Sequence, residues 1–117
     1  MNRYVAIFSI PARVIDEWIK NTPPEKRQSM SNEMMGEWQK WMDTNAKSIA
    51  DKGMPLGKTK RVTAKGVSDI RNDMNFFIIV DAENHAAAAK MFQSHPHLQI
   101  PEACVEVMEV PRAPGMS

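Results

Sequence analysis

The run MNFFIIVD, residues 74–81, is apolar on both of the faces that alternate along an extended chain. A strand with one face in water alternates apolar and polar side chains, whereas a strand covered on both faces does not. The run YVAIFSI, residues 4–10, has the same character. These two runs therefore predict two strands at the centre of a sheet.

Three other segments predict helices. Residues 11–21 and 32–53 place apolar side chains at helical spacing, and residues 82–94 contain an alanine-rich run of high helix propensity. Ser29 or Ser31 is the expected N-terminal cap of the second helix, because serine side chains satisfy free backbone N–H groups there.

Two further segments predict strands at the edges of the sheet. Residues 56–66 alternate loosely and carry several cations, and residues 103–110 alternate apolar and polar side chains. Charged side chains on an edge strand discourage edge-to-edge pairing. With residues 67–73 as a turn, the order is β-α-α-β-β-α-β. This order predicts an α+β protein with a ferredoxin-like split βαβ fold, an antiparallel sheet, and the first and third strands at its centre.

The central strands carry more apolar surface than the helices can cover. Helices pack on one face of a ferredoxin-like sheet, so the second apolar face stays exposed in a lone subunit. Exposed apolar patches above a few hundred Å2 are uncommon on soluble monomers. A two-fold homodimer that packs sheet against sheet would cover this face. The expected assembly is a dimeric α/β barrel.

Composition narrows the class of protein. The chain has 117 residues and a net charge of +1. This length predicts one domain, residues 1–111, with a loose tail at 112–117. The near-zero charge gives no indication of nucleic acid or membrane partners, and the third strand lacks the basic and aromatic pattern of RNA-recognition modules. A single cysteine, no signal peptide and no apolar run long enough to span a bilayer predict a cytoplasmic protein.

The segment His95-Pro96-His97 is the candidate catalytic site. Either histidine could serve as a general acid or base if a proton donor or acceptor lay beside it. The alternative is a turn that ends the third helix, in which His95 binds the last carbonyl groups and Pro96 stops the helix. A metal site needs three or four ligands. The sequence supplies too few at suitable spacing, so we expect no metal and no cofactor.

A second candidate site is an apolar ligand pocket. Methionine and tryptophan side chains share one side of the second helix, and both residue types can line adaptable pockets or simply fill the core. The expected lining residues are Met34, Trp38, Trp41, Met42 and Phe77. Cys104 has no basic neighbour in sequence and is expected to be an inert core residue.

Several segments together resemble the YCII-related family, which includes the DGPF-type proteins. They are the YVAIF strand, the W-x-x-W-M helix followed by KGMPLG, the strand-helix-turn FFIIVDAENHAAAAKMFQSHPHL, and the closing strand VEVMEV. The resemblance covers nearly the whole chain and implies a dimeric α+β barrel. In that family a His-Asp pair in the first half of the domain has been suggested as an active site. This chain has no histidine before His85, and GVSDIRND stands where the DGPF tetrapeptide would be.

Three functions follow as hypotheses. The first is a homodimeric protein that binds a small organic molecule in a pocket formed by the methionine-tryptophan helix and the His-Pro-His turn. The second is a cofactor-independent enzyme, acid-base or monooxygenase-like, that uses His95 or His97. The third is a structural or regulatory module without a ligand.

Overall fold

The computed structural model describes residues 1–111, so the predicted tail at 112–117 lies outside the described residues. The protein is mixed α+β. Its strands and helices are β1 (Asn2–Ser9), α1 (Ala12–Asn21), α2 (Pro24–Thr44), β2 (Ile49–Asp51), β3 (Thr59–Thr63), β4 (Gly66–Ile70), β5 (Met74–Ala82), α3 (His85–Met91) and β6 (Cys104–Glu109).

The main sheet is antiparallel and has the strand order β2-β5-β1-β6. The prediction that residues 4–10 and 74–81 form the two central strands is confirmed. Tyr4 lies opposite Val80 and Ala6 opposite Ile78. On each strand one alternating set of side chains points into the core, and the other set lies on the opposite face of the sheet.

The prediction of residues 56–66 as the second strand of this sheet is wrong. The edge strand beside β5 is the three-residue β2, which the sequence pattern had assigned to the second helix. α2 ends at Thr44 because Asn45 caps it, with both its backbone N–H and its side-chain amide donating to the Trp41 carbonyl, at 3.1 and 2.9 Å. The chain then turns and becomes extended at Ile49.

Residues 59–70 form a separate two-stranded sheet, β3 with β4, which we call the hairpin. The predicted turn at 67–73 is therefore also wrong, since most of it is β4. The second helix begins earlier than predicted, because Pro24 occupies its first turn and neither Ser29 nor Ser31 is the cap. Proline fits there because backbone N–H groups in the first helical turn have no acceptor within the helix, so proline costs no hydrogen bond.

The core lies between one face of the sheet and the α2–α3 side of the molecule. The largest fully buried side chains of this face are those of Phe8, Ile78 and Val80, and Trp41 and Phe92 pack over them. Leucine-sized and aromatic side chains buried in this way each contribute roughly 1.5–3 kcal/mol. This face therefore supplies most of the stability of the subunit.

The other face of the main sheet, which we call the open face, is only partly buried. Its centre is apolar, with Val5, Ile7, Phe77, Ile79 and Met108, and the face also carries Glu106 and the Arg3–Asp81 ion pair. The molecule measures 52 × 45 × 19 Å. A helix is about 10 Å across and packed layers lie about 10 Å apart, so 19 Å holds one helical layer and one sheet. Within residues 1–111, no further layer covers the open face.

Candidate functional site

The His-Pro-His turn follows α3 and is folded into the core. His95 is 2% exposed and His97 is 3% exposed. The backbone N–H of His97 donates to Nδ1 of His95 at 3.0 Å, which caps the short 3-10 turn Pro96–Gln99. Nε2 of His97 lies 3.0 Å from the carbonyl oxygen of Ser9. A carbonyl only accepts, so His97 carries its proton on Nε2 and ties the turn to the end of β1.

Aromatic rings surround both imidazoles. We call Phe8, Trp38, Trp41, Phe76 and Phe92, together with the two histidines, the aromatic cluster. The His95 ring centroid lies 4.3 Å from that of Trp38, 4.6 Å from that of Trp41 and 4.8 Å from that of Phe8. Spacings of about 4.5–7 Å are favourable for aromatic pairs, and these three pairs of the His95 ring lie close to the lower end of this range. The cluster joins α2 to β1 and to the turn.

Burial keeps both histidines neutral. Burial, together with a smaller contribution from the nearby His97, lowers the pKa of His95 to about 3. Burial also lowers the pKa of His97, and the backbone carbonyls of Ser9 and Cys104 oppose that shift. Within residues 1–111, no carboxylate forms a hydrogen bond or ion pair with either ring. A general base works best with a pKa near the operating pH, which this environment does not give His95.

The Nε2 atom of His95 is buried and has no hydrogen-bond partner among residues 1–111. Because Nδ1 accepts from His97, the neutral ring carries its proton on Nε2, which is therefore a donor. Its ring stands perpendicular to that of Trp38, at 87°. An aromatic face can accept such an N–H weakly. In this arrangement the imidazole packs among the aromatic rings and does not face solvent.

The structure brings together some of the predicted pocket residues. Trp38, Trp41 and Met42 pack against the core, and Nε1 of Trp41 donates to the Met91 carbonyl at 3.3 Å. Met34 is half-buried and stands outside this packing. Phe77 lies on the open face, across the sheet from the tryptophans, because it alternates with the core residues Phe76 and Ile78.

Two concave regions are found elsewhere on the surface. One, of about 450 Å3, lies against the open face, and we call it the groove. It is lined by Ile7, Ser9, Pro11, Asp73, Met74, Glu102, Cys104, Glu106 and Met108. The other, of about 530 Å3, lies at the opposite end of β1, beside the Arg3–Asp81 ion pair. Neither is lined by the two tryptophans or the two histidines.

Cys104 is exposed, and the prediction that it is a core residue is wrong. It begins β6 on the side that faces the groove, whereas Val105 and Val107 face the core. The alternation of residues 103–110 predicts that the strand has two different faces. It does not indicate which of these faces the helices cover. Among residues 1–111, no group of three or more histidine, cysteine or acidic side chains is arranged to hold a metal ion.

Comparison with protein families finds no family model that matches the chain, and comparison with curated proteins finds no match. Among the described residues, no helix combines the length and the apolar character that crossing a membrane requires.

Proposed function

We propose that this chain is the subunit of a YCII-related, ferredoxin-like homodimer that binds a small organic molecule in the groove at the seam between the two sheets. The observation that carries the proposal is the open face, an apolar sheet surface with no covering layer within residues 1–111. The proposed setting is the cytoplasm, as the single cysteine suggests.

The strand order supports the ferredoxin-like part of the proposal. If the hairpin is set aside as an insertion, the sheet places the first and third strands at the centre and the second and fourth at the edges. The half-buried Val5, Ile7, Phe77 and Ile79 form one continuous apolar surface across the two central strands. Association of two such surfaces removes them from water, which is worth roughly 25 cal/mol per Å2 before the cost of association.

The groove supports the binding part. Its volume of about 450 Å3 falls within the range of about 300–1,000 Å3 that is usual for small-molecule sites. Its floor on the sheet combines the apolar side chains of Ile7 and Met108 with the carboxylate of Glu106, and Asp73, Met74 and Glu102 also line it. A second subunit packed on the open face would enclose this floor. The aromatic cluster supports a structural role for the histidines, since both are neutral and neither contacts a carboxylate.

The dimer can be tested by placing a charge on the open face. Ile79→Glu should raise the Kd of the dimer by about 100-fold or more, because burying an unpaired charge costs several kcal/mol. The measurement is sedimentation equilibrium at micromolar concentration, with circular dichroism to check folding. The control is Ala89→Glu, which adds the same charge at an exposed site on α3. A wild-type protein that sediments as a monomer would contradict the proposal.

Ligand binding can be tested through Cys104, which is the one cysteine of the chain and lines the groove. A molecule seated in the groove should slow alkylation of this thiol by iodoacetamide, by about tenfold at ligand concentrations near ten times Kd. Mass spectrometry under native conditions identifies candidate ligands. A slower alkylation of Cys104 then shows that a ligand occupies the groove. If a bound ligand leaves the Cys104 rate unchanged, the site is not in the groove.

A further inference from the structure

We propose that the ligand of the groove is a small organic cation, in which an ammonium group is joined to a short apolar chain or ring, and that Glu106 binds the ammonium group. This inference rests on the proposed homodimer with a ligand in its groove, and it adds the chemical class of that ligand.

Glu106 lies on the floor of the groove among side chains without charge. It is opposite Ile7 in the register of β1 and β6, and Cys104 and Met108 lie two residues before and after it on the same face. Within residues 1–111, Glu106 forms no ion pair. Its side chain is exposed in the lone subunit, so water solvates the carboxylate there.

The proposed dimer would remove that water. A second subunit packed on the open face encloses the floor of the groove, and Glu106 is enclosed with it. A carboxylate that is taken out of water without a partner costs several kcal/mol. Glu106 therefore either gains a cation at the seam or opposes the association of the two subunits.

The arginines that adjoin the groove and the open face already have partners. Arg13 on α1 pairs with Glu102 beside the groove, and Arg3 pairs with Asp81 at the far end of the open face. No lysine, arginine or histidine lines the groove in the part of the chain that the structure describes. The countercharge of Glu106 therefore has to come from outside its own subunit.

The surroundings of Glu106 favour an organic cation over a metal ion. Metal ions take several protein ligands, and residues 1–111 contain no group of three or more histidine, cysteine or acidic side chains arranged to supply them. Ile7 and Met108 instead offer apolar contact close to the carboxylate, since neighbouring strands lie about 5 Å apart and alternate residues about 7 Å apart. An ammonium group on Glu106 thus leaves its carbon chain over these two side chains.

Three probes of similar shape test the inference at neutral pH. They are phenethylamine, which is a cation, phenethyl alcohol, which is neutral, and phenylacetate, which is an anion. Phenethylamine should bind the wild-type protein at least about tenfold more tightly than the other two, because its ammonium group forms a charge-assisted hydrogen bond with Glu106. Titration followed by NMR chemical shifts measures the three Kd values. Equal affinities, or no binding of phenethylamine, overturn the inference.

Glu106→Gln keeps the size of the side chain and removes its charge. This variant should reduce the preference for phenethylamine to less than about threefold. Glu109→Gln is the matched control, because it removes the same charge from the same strand at a carboxylate that lies 3.7 Å from Nδ1 of His85, on the helix side of the sheet. The control should keep the preference. A preference that survives Glu106→Gln overturns the inference.

The dimer without ligand tests the source of the countercharge. If the ligand supplies the cation, Glu106 has no partner in the empty dimer, and Glu106→Gln should lower the Kd of dimerisation by at least about threefold. Sedimentation equilibrium measures this Kd for the variant and for the wild type. A Kd that does not fall overturns the inference, and a Kd that rises shows that a cation of the partner subunit binds Glu106.

The two proposals fail in different ways. A wild-type monomer, or a groove in which no ligand slows the alkylation of Cys104, removes the proposed function and this inference together. A dimer whose groove binds neutral or anionic molecules as tightly as phenethylamine retains the proposed function and rejects the organic cation.

Discussion

Replacing Gly53 by alanine is expected to lower the free energy of unfolding by about 3 kcal/mol or more. Gly53 follows β2 and has φ of +73°, a conformation that costs residues with a Cβ. An added Cβ would overlap the carbonyl oxygen of Phe77 on β5. Backbone atoms of a central strand cannot move aside as a side chain could. The edge strand would therefore have to separate from the sheet.

Gly36 is the matched control for this change. It lies inside α2, and an added Cβ would meet nothing within 4 Å. Gly36→Ala should raise the free energy of unfolding by about 1 kcal/mol, because alanine has the higher helix propensity. Urea denaturation, followed by circular dichroism at one fixed protein concentration, measures the free energy of unfolding of both variants. Similar effects of the two substitutions would contradict the close contact between Gly53 and β5.

Acid is expected to unfold this protein through its buried histidines. The pKa of His95 is about 3 in the folded protein, against 6.5 for a free imidazole. The unfolded chain therefore binds a proton that the folded chain rejects between these two pH values. The contribution of neutral His95 to the free energy of unfolding is fully present above pH 6.5. It falls by about 1.4 kcal/mol for each pH unit below that value. The pKa of His97 is shifted in the same direction and adds to the loss.

His95→Asn should reduce this pH dependence. The amide oxygen of asparagine can take the place of Nδ1 and accept from the His97 N–H, but it does not titrate. The slope of unfolding free energy between pH 6 and pH 4 should fall by the equivalent of about one proton. His85→Asn is the control, because that ring is exposed. An unchanged slope in His95→Asn would show that the acid sensitivity arises elsewhere.

The central strands were predictable because their signal is local. Residues 4–10 and 74–81 are apolar at nearly every position, a pattern typical of strands in the middle of a sheet. β2 was not predictable in the same way. It has three residues, too few to show a period, and Ile49 continues the helical spacing of α2. The capping amide of Asn45 depends on a conformation that the apolar pattern does not encode.

The sequence contains an indication of the hairpin that an analysis of apolar periodicity does not detect. Ala64-Lys65-Gly66 separates the runs TKRVT and VSDI, both of which contain β-branched residues, and this is the pattern of a hairpin loop that contains glycine. The charge of residues 56–66 suggested an edge strand, and β3 is indeed an edge, although of a different sheet. Charge identifies exposure to solvent, but it does not identify the pairing partner.

The surroundings of the histidines could not be predicted from nearby residues. Phe8 and Trp38 reach His95 from two distant parts of the chain. The chemistry of an imidazole depends on this burial, which only the tertiary structure supplies. For the same reason, Phe77 could be recognised as apolar but could not be assigned to the groove side of the sheet.

The position of β1 in the middle of the sheet has a consequence for synthesis on the ribosome. β1 leaves the ribosome before both of its neighbours, β5 and β6, which come from residues 74–109. The bond that fixes its end joins Ser9 to His97, 88 positions away. At about 5–20 residues per second, the nascent strand waits several seconds for its partners. During that interval β1 can aggregate or bind chaperones, and its pairing in the sheet must wait until β5 and β6 have been made.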